Sequence, residues 1–199
     1  MATANGKPRP YSRRGDLGET SLVIGPRVGK DHCRIELVGA VEELSAWLGK
    51  ARLSDVDPEV AALLLRLQER LLVVSVEAAS LDPSLSDNAV VTENHIGILE
   101  RAADSWNARV PLTRGTVLPG GTRAAADLWV AYSVCRRAER RATALLRFDA
   151  RFSPRALAWL NRLSALIAIL ARYENTRVDG AETVVALKDA CARFDDELV

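Results

Sequence analysis

The sequence predicts an all-α fold, a five-helix antiparallel bundle, from three observations. Apolar residues recur at three- and four-residue steps over five long segments. Proline and capping residues punctuate those segments, and no alternating strand pattern competes beyond a short run at Ser21 to Ile24. Long helices joined by short or moderate loops favour antiparallel packing.

The first helix carries Ile35, Val38, Val41, Leu44, Trp47, Leu48 and Ala51 on one face. Pro58 opens the second, because a first-turn proline lacks only an N–H that would be unpaired there anyway. Its core face is Val60, Leu63, Leu64, Leu67, Leu71 and Val74. Thr92 caps a third helix reaching about Asn107. The two prolines and three glycines of Val110 to Gly121 mark a loop, and the fourth helix runs from about Thr122 to Phe148. Ser153-Pro154, a cap followed by proline, launches the fifth through about Arg172. The tail from Gly180 has the spacing of one more amphipathic helix, through Val184, Val185, Leu187, Ala190 and Phe194.

These readings divide a single domain into three parts. Residues 1–32, rich in Gly, Pro, Arg and Ser, read as an N-terminal loop or arm, ordered only if something binds it. Residues 33–175 form the helical bundle and 176–199 a C-terminal helical extension. At 199 residues the chain can bury a sizeable core. A net charge of +1 argues against nucleic acid or an anionic membrane as partner. Cys33, Cys135 and Cys191 lack metal or disulfide spacing, the first ten residues hold Lys7 and Arg9 but no apolar signal segment, and Asn161, Arg162 and Ser164 interrupt the most apolar stretch. A soluble, cytoplasmic protein with no metal site built from its own side chains is expected.

Two basic segments suit a small polyanion. In the arm, Gly15 and Gly18 flank Asp16-Leu17 before Thr20, with Lys30 and Arg34 following. Glycines let backbone N–H groups approach a phosphate, Thr adds a hydroxyl, and Lys and Arg add charge. The pattern is not a Walker loop, and on pattern alone a plain polar turn fits it better. On the fourth helix Arg136, Glu139 and Arg140 share a face. Guanidinium forks match phosphate oxygens, and a nearby carboxylate orients them or helps hold Mg²⁺. The competing reading is a solvated surface of i, i+4 pairs. Asn161, in the most apolar helix, reads as a buried amide needing partners, as ligand or as an interhelical contact. His32 and His95 read as ordinary polar residues.

Together these segments resemble the PduO-type ATP:cob(I)alamin adenosyltransferases over about residues 11 to 175. The blocks that carry the resemblance are Tyr11-Ser12-Arg13-Arg14-Gly15-Asp16-Leu17-Gly18-Glu19-Thr20, Val117-Leu118-Pro119-Gly120-Gly121-Thr122 leading to Cys135-Arg136-Arg137-Ala138-Glu139-Arg140, and Leu160-Asn161-Arg162-Leu163-Ser164. The resemblance implies a homotrimer with ATP and corrinoid bound between subunits, and transfer of the adenosyl group to Co(I). It places Ser12, Gly15, Asp16, Gly18, Thr20, Lys30, Arg34, Arg136, Glu139, Arg140 and Asn161 at or near ATP, with Mg²⁺ accompanying the nucleotide.

The corrinoid side departs from the family pattern. Thr116 stands where the family has a Phe that crowds the lower corrin face, and Glu42 where it has an Asp. Tyr132 replaces the Arg that pairs with that Asp across the interface, Trp129 replaces a His, and Ala165 an Asp. All five changes fall on one function. They make cobalamin doubtful as a ligand and predict a nucleotide-responsive sensor with a degenerate corrinoid site, with Glu42, Thr116 and Tyr132 as the degenerate catalytic positions. Trp129 and Tyr132, on one face with Arg136, would stack a second base of a dinucleotide, or simply fill the bundle or trimer interface. The alternative is an active adenosyltransferase that tolerates the changes. A protein partner is compatible with the sensor reading, and the residues do not identify one.

Overall fold

The five expected helices form, and their caps explain where each begins. In the computed structural model, which describes residues 11–81, 90–179, 181–186 and 188–189, α1 spans Cys33–Arg52, α2 Pro58–Ala78, α3 Glu93–Asn107, α4 Arg123–Phe148 and α5 Pro154–Thr176. Asp57, Thr122 and Ser153 accept from backbone N–H groups of the first turns of α2, α4 and α5. The two histidines also serve as caps. His32 Nδ1 accepts from Arg34 N–H at 3.2 Å, and Thr92 with His95 makes a reciprocal capping box at the start of α3.

Helix α4 packs between α1 and α5, with α2 against α1 and α3 against α5. The small residues Ala124, Ala131, Ala138 and Ala142 on the buried face of α4 let Leu37, Leu44 and Leu48 of α1 and Leu160, Leu163 and Ile167 of α5 close in. Three ion pairs cross α1 and α4, Glu36–Arg141 at 3.1 Å, Glu43–Arg137 and Lys50–Asp127. The two pairs open to solvent, Glu36–Arg141 and Glu43–Arg137, contribute about 0–1 kcal/mol each, so burial holds the helices together and the charges set their register. Helices α2 and α3 make at most marginal backbone contact, which leaves a seam between them.

Three expectations need correction. The arm is not left to a ligand to order within the described residues. It forms an antiparallel hairpin of β1 (Glu19–Ser21) and β2 (Arg27–Gly29), shifted from the run expected at Ser21 to Ile24. Leu22 is buried, and the bonds Val23 N–H to Ala79 O and Leu81 N–H to Ile24 O, both 2.9 Å, tie the hairpin to the end of α2. The tail is not helical where Val184 begins it. Val184–Val185 form β4, paired with β3 (Thr116–Val117). Strand pairing satisfies both backbones, which a helix periodicity read in isolation cannot anticipate. Leu187, Ala190, Cys191 and Phe194 lie outside the described residues. Finally, Asn161 is exposed on α5 rather than buried. No helix among the described residues is long and apolar enough to cross a membrane.

Candidate active site

The hairpin presents its basic loop through two left-handed residues. Arg13 has φ 60° and Gly18 φ 84°, so successive tight turns close from Asp16 N–H to Arg13 O (3.3 Å) and Gly18 N–H to Gly15 O (3.2 Å). A non-glycine residue at positive φ is uncommon, and turns of this kind gather N–H groups into anion-binding concavities. Lys30 N–H donates to Gly18 O at 2.8 Å, and a Cβ added at Gly15 would meet Lys30 Nζ at 3.3 Å. The Lys30 ammonium therefore lies against the glycine turn. Arg27 braces the loop from behind, donating to Arg14 O at 2.6 Å and pairing with Glu19 at 3.4 Å. Ser12 accepts from Arg14 N–H at 3.3 Å, and Thr20 sits in the ladder opposite Val28.

Arg34 does not join this surface. It is fully buried, and donates to Ala78 O (2.7 Å), Ser80 O (2.8 Å) and Asp149 Oδ2 (2.8 Å). The residue expected near phosphate instead ties α1 to the ends of α2 and α4. Asp149, held by Arg151 and then by Arg34, titrates well below the usual carboxylate range. Burial pushes the Cys135 thiol far up, so it is an inert core group donating to Leu160 O at 3.4 Å.

The second basic surface lies on α4 and α5. Arg136 is exposed and donates to the Tyr132 hydroxyl at 2.7 Å, its guanidinium 5.4 Å from that ring's centre. Tyr132 meets Trp129 edge to face at 5.5 Å, so the three residues expected on one face do share it. Trp129 is half-buried, and its Nε1 finds no hydrogen-bond partner among the described residues. Asn161 donates to Glu139 Oε1 at 2.9 Å and accepts from Arg162 at 2.9 Å. Arg140 is exposed beside them, without an acidic partner among the described residues. Phe148, which meets His32 edge to face at the foot of the hairpin with ring centres 5.5 Å apart, lies roughly 18 Å along α4 from Arg136.

The third surface is the loop between α3 and α4. Thr116 is exposed in β3, and Gly120 and Gly121 have φ of 147° and 94°. Asn175, buried at the end of α5, accepts from Thr122 N–H at 2.9 Å and donates to Gly120 O at 3.1 Å. A Cβ on Gly121 would collide with the Asn175 amide, so glycine is required there. Arg172 donates to Pro111 O at 2.9 Å and pairs with Glu182 at 2.9 Å, joining this loop to the β4 segment. The sequence reading missed Asn175; a buried amide at a helix end has no periodic signature. Glu42 lies elsewhere, exposed on a groove between α1 and α2 with Glu69 and Gln68. No hydrogen bond, ion pair or ring contact among the described residues joins Glu42, Thr116 and Tyr132 within one chain.

The bundle, the glycine turn and the α4 basic face define a helical scaffold with two exposed basic surfaces, and comparison with known proteins gives its family. The profile of the cobalamin adenosyltransferases matches residues 10–174, and the chain belongs to that family. It is 36% identical over 168 residues to the corrinoid adenosyltransferase PduO of Citrobacter freundii, covering 83% of this chain and 49% of that protein. The chain thus spans about half the length of that relative. It is 33% identical over 172 residues to the Bacillus subtilis corrinoid adenosyltransferase, covering 84% of this chain and 86% of that one. A solved Lactobacillus reuteri PduO-type enzyme, a Phe-to-Ala variant complexed with cobalamin and ATP, superposes with a TM-score of 0.81 at 27% identity, covering 89% of this chain and 99% of that one. An Arg-to-Lys variant complexed with ATP gives a TM-score of 0.78 at 28% identity, covering 88% and 98%. The relatives carry the names of corrinoid enzymes, and the doubt about cobalamin drawn from Glu42, Thr116 and Tyr132 finds no support among them.

Proposed function

We propose that this protein is an ATP:corrinoid adenosyltransferase, moving the 5′-deoxyadenosyl group of ATP to Co(I) of a corrinoid. Family membership favours this over a sensor with an abandoned corrinoid site. The observation that carries it is the Arg136 guanidinium, exposed and steadied by Tyr132, beside Arg140 and the Glu139–Asn161 pair.

The transfer forms a Co–C5′ bond with the electron pair of Co(I) and breaks the C5′–O bond, so triphosphate departs with its negative charge. Arg136, Arg140 and Lys30 are the groups that would hold that charge, with Gly15, Asp16, Gly18, Ser12 and Thr20 shaping the turn around it. Charge-assisted hydrogen bonds to phosphate contribute about 1.5–3 kcal/mol each. No cluster of three metal-ligating side chains occurs among the described residues. Mg²⁺ would come with the triphosphate, with Glu139 as a nearby carboxylate. His32, after β2, packs against Phe148 roughly 18 Å along α4 from Arg136, so a neighbouring subunit would complete each site in the homotrimer that the resemblance implies. Thr116 opens the space that a larger residue would fill, and Trp129 with Tyr132 offers an aromatic wall to a planar group.

The test is an anaerobic assay with cob(I)alamin, ATP and Mg²⁺, read as the spectral change to adenosylcobalamin, beside ATP-binding calorimetry. Product with release of triphosphate is expected. ATP binding without product would overturn the transferase reading in favour of a nucleotide-responsive protein.

A further inference from the structure

We propose that the seam between α2 and α3 binds a small amphipathic monoanion, a medium-chain aliphatic carboxylate, at a site separate from the nucleotide and corrinoid surfaces. The seam holds a cavity of about 160 Å³ whose exposed lining is mostly apolar. Its floor is the buried Trp159 of α5, and its walls include Leu63 and Leu67 of α2 and Leu99 of α3. Ile98, half exposed, leaves one wall open to solvent. An apolar cavity of about 150 Å³ accommodates a benzene-sized hydrocarbon, so the space suits a short alkyl chain.

Charge at the rim specifies the other end of the ligand. Arg66 and Arg70 stand one helical turn apart at the cavity, and neither has an acidic partner among the described residues. Like charges at this spacing repel. On the neighbouring α3–α5 groove, by contrast, Arg155 and Arg162 are paired with Glu93 and Glu100. A carboxylate between Arg66 and Arg70 relieves the repulsion, and guanidinium forks match its two oxygens. His95 lines the same cavity, and its Nδ1 accepts from Thr92 N–H at 3.2 Å. The neutral ring therefore carries its proton on Nε2, a further donor.

The experiment is titration of the full chain with octanoate, followed by calorimetry and by tryptophan emission, with Trp159→Phe assigning the signal and 1-octanol as the uncharged control. Saturable binding of one octanoate per chain is expected, with octanol weaker. Arg66→Gln with Arg70→Gln should weaken octanoate about tenfold and leave octanol unchanged. Ile98→Trp, which fills the space, should abolish both. Absence of saturable octanoate binding, equal affinity for octanol, or binding that survives Ile98→Trp would overturn the assignment. Adenosyl transfer is not part of the readout, so the two proposals fail separately.

Discussion

The N-terminal hairpin and the loop between α3 and α4 are built on one plan and carry different side-chain chemistry. Each turns through residues at positive φ, and each is fastened from inside by a buried polar group, Arg34 for the hairpin's seat and Asn175 for the central loop. The hairpin presents the charges and glycines expected of a phosphate site. The central loop presents Thr116 on a backbone that Asn175 and Arg172 hold in place. The substitution at Thr116 therefore changes what the loop exposes while leaving its anchors built. A contact surface can be altered this way without dismantling a fold.

The largest expected effect strikes the shared scaffold. Arg34→Met removes three hydrogen bonds at once and should destabilise the protein by about 3–5 kcal/mol, measured by chemical denaturation. A change below about 1 kcal/mol, with ATP affinity lost instead, would return Arg34 to the ligand side of the comparison. Arg136→Ala comes next. It should weaken ATP binding by about 1.5–3 kcal/mol with the circular dichroism spectrum unchanged, and unaltered affinity by calorimetry would break the nucleotide side. Asn175→Ala leaves Thr122 N–H and Gly120 O unpaired and should cost about 1–3 kcal/mol. Its sharper signature is a raised KM for corrinoid with the KM for ATP little changed; equal rises in both would erase the distinction between the two loops. Thr116→Phe has the smallest expected effect on stability, within about 0.5 kcal/mol at an exposed position. Faster turnover with cob(I)alamin would assign Thr116 to the corrinoid surface, and unchanged kinetics would remove it.

What the sequence determined by itself was local. Apolar periodicity, Pro58, Thr92 and Ser153-Pro154 placed the five helices, because capping and amphipathicity depend on neighbours a few residues away. The shared face of Arg136, Glu139 and Arg140 was legible for the same reason, whereas the Asn161–Glu139 bond between α5 and α4 was not, because helix spacing alone read Asn161 as buried. Tertiary structure alone decided which polar groups are consumed inside the fold. Arg34 meets Asp149 across 115 positions and Thr122 meets Asn175 across 53, so neither fate has a local signal. The pairing of Val184–Val185 as β4, where the tail's periodicity predicted helix, follows the same rule, because a strand forms only where a distant edge, here Thr116–Val117, offers its backbone.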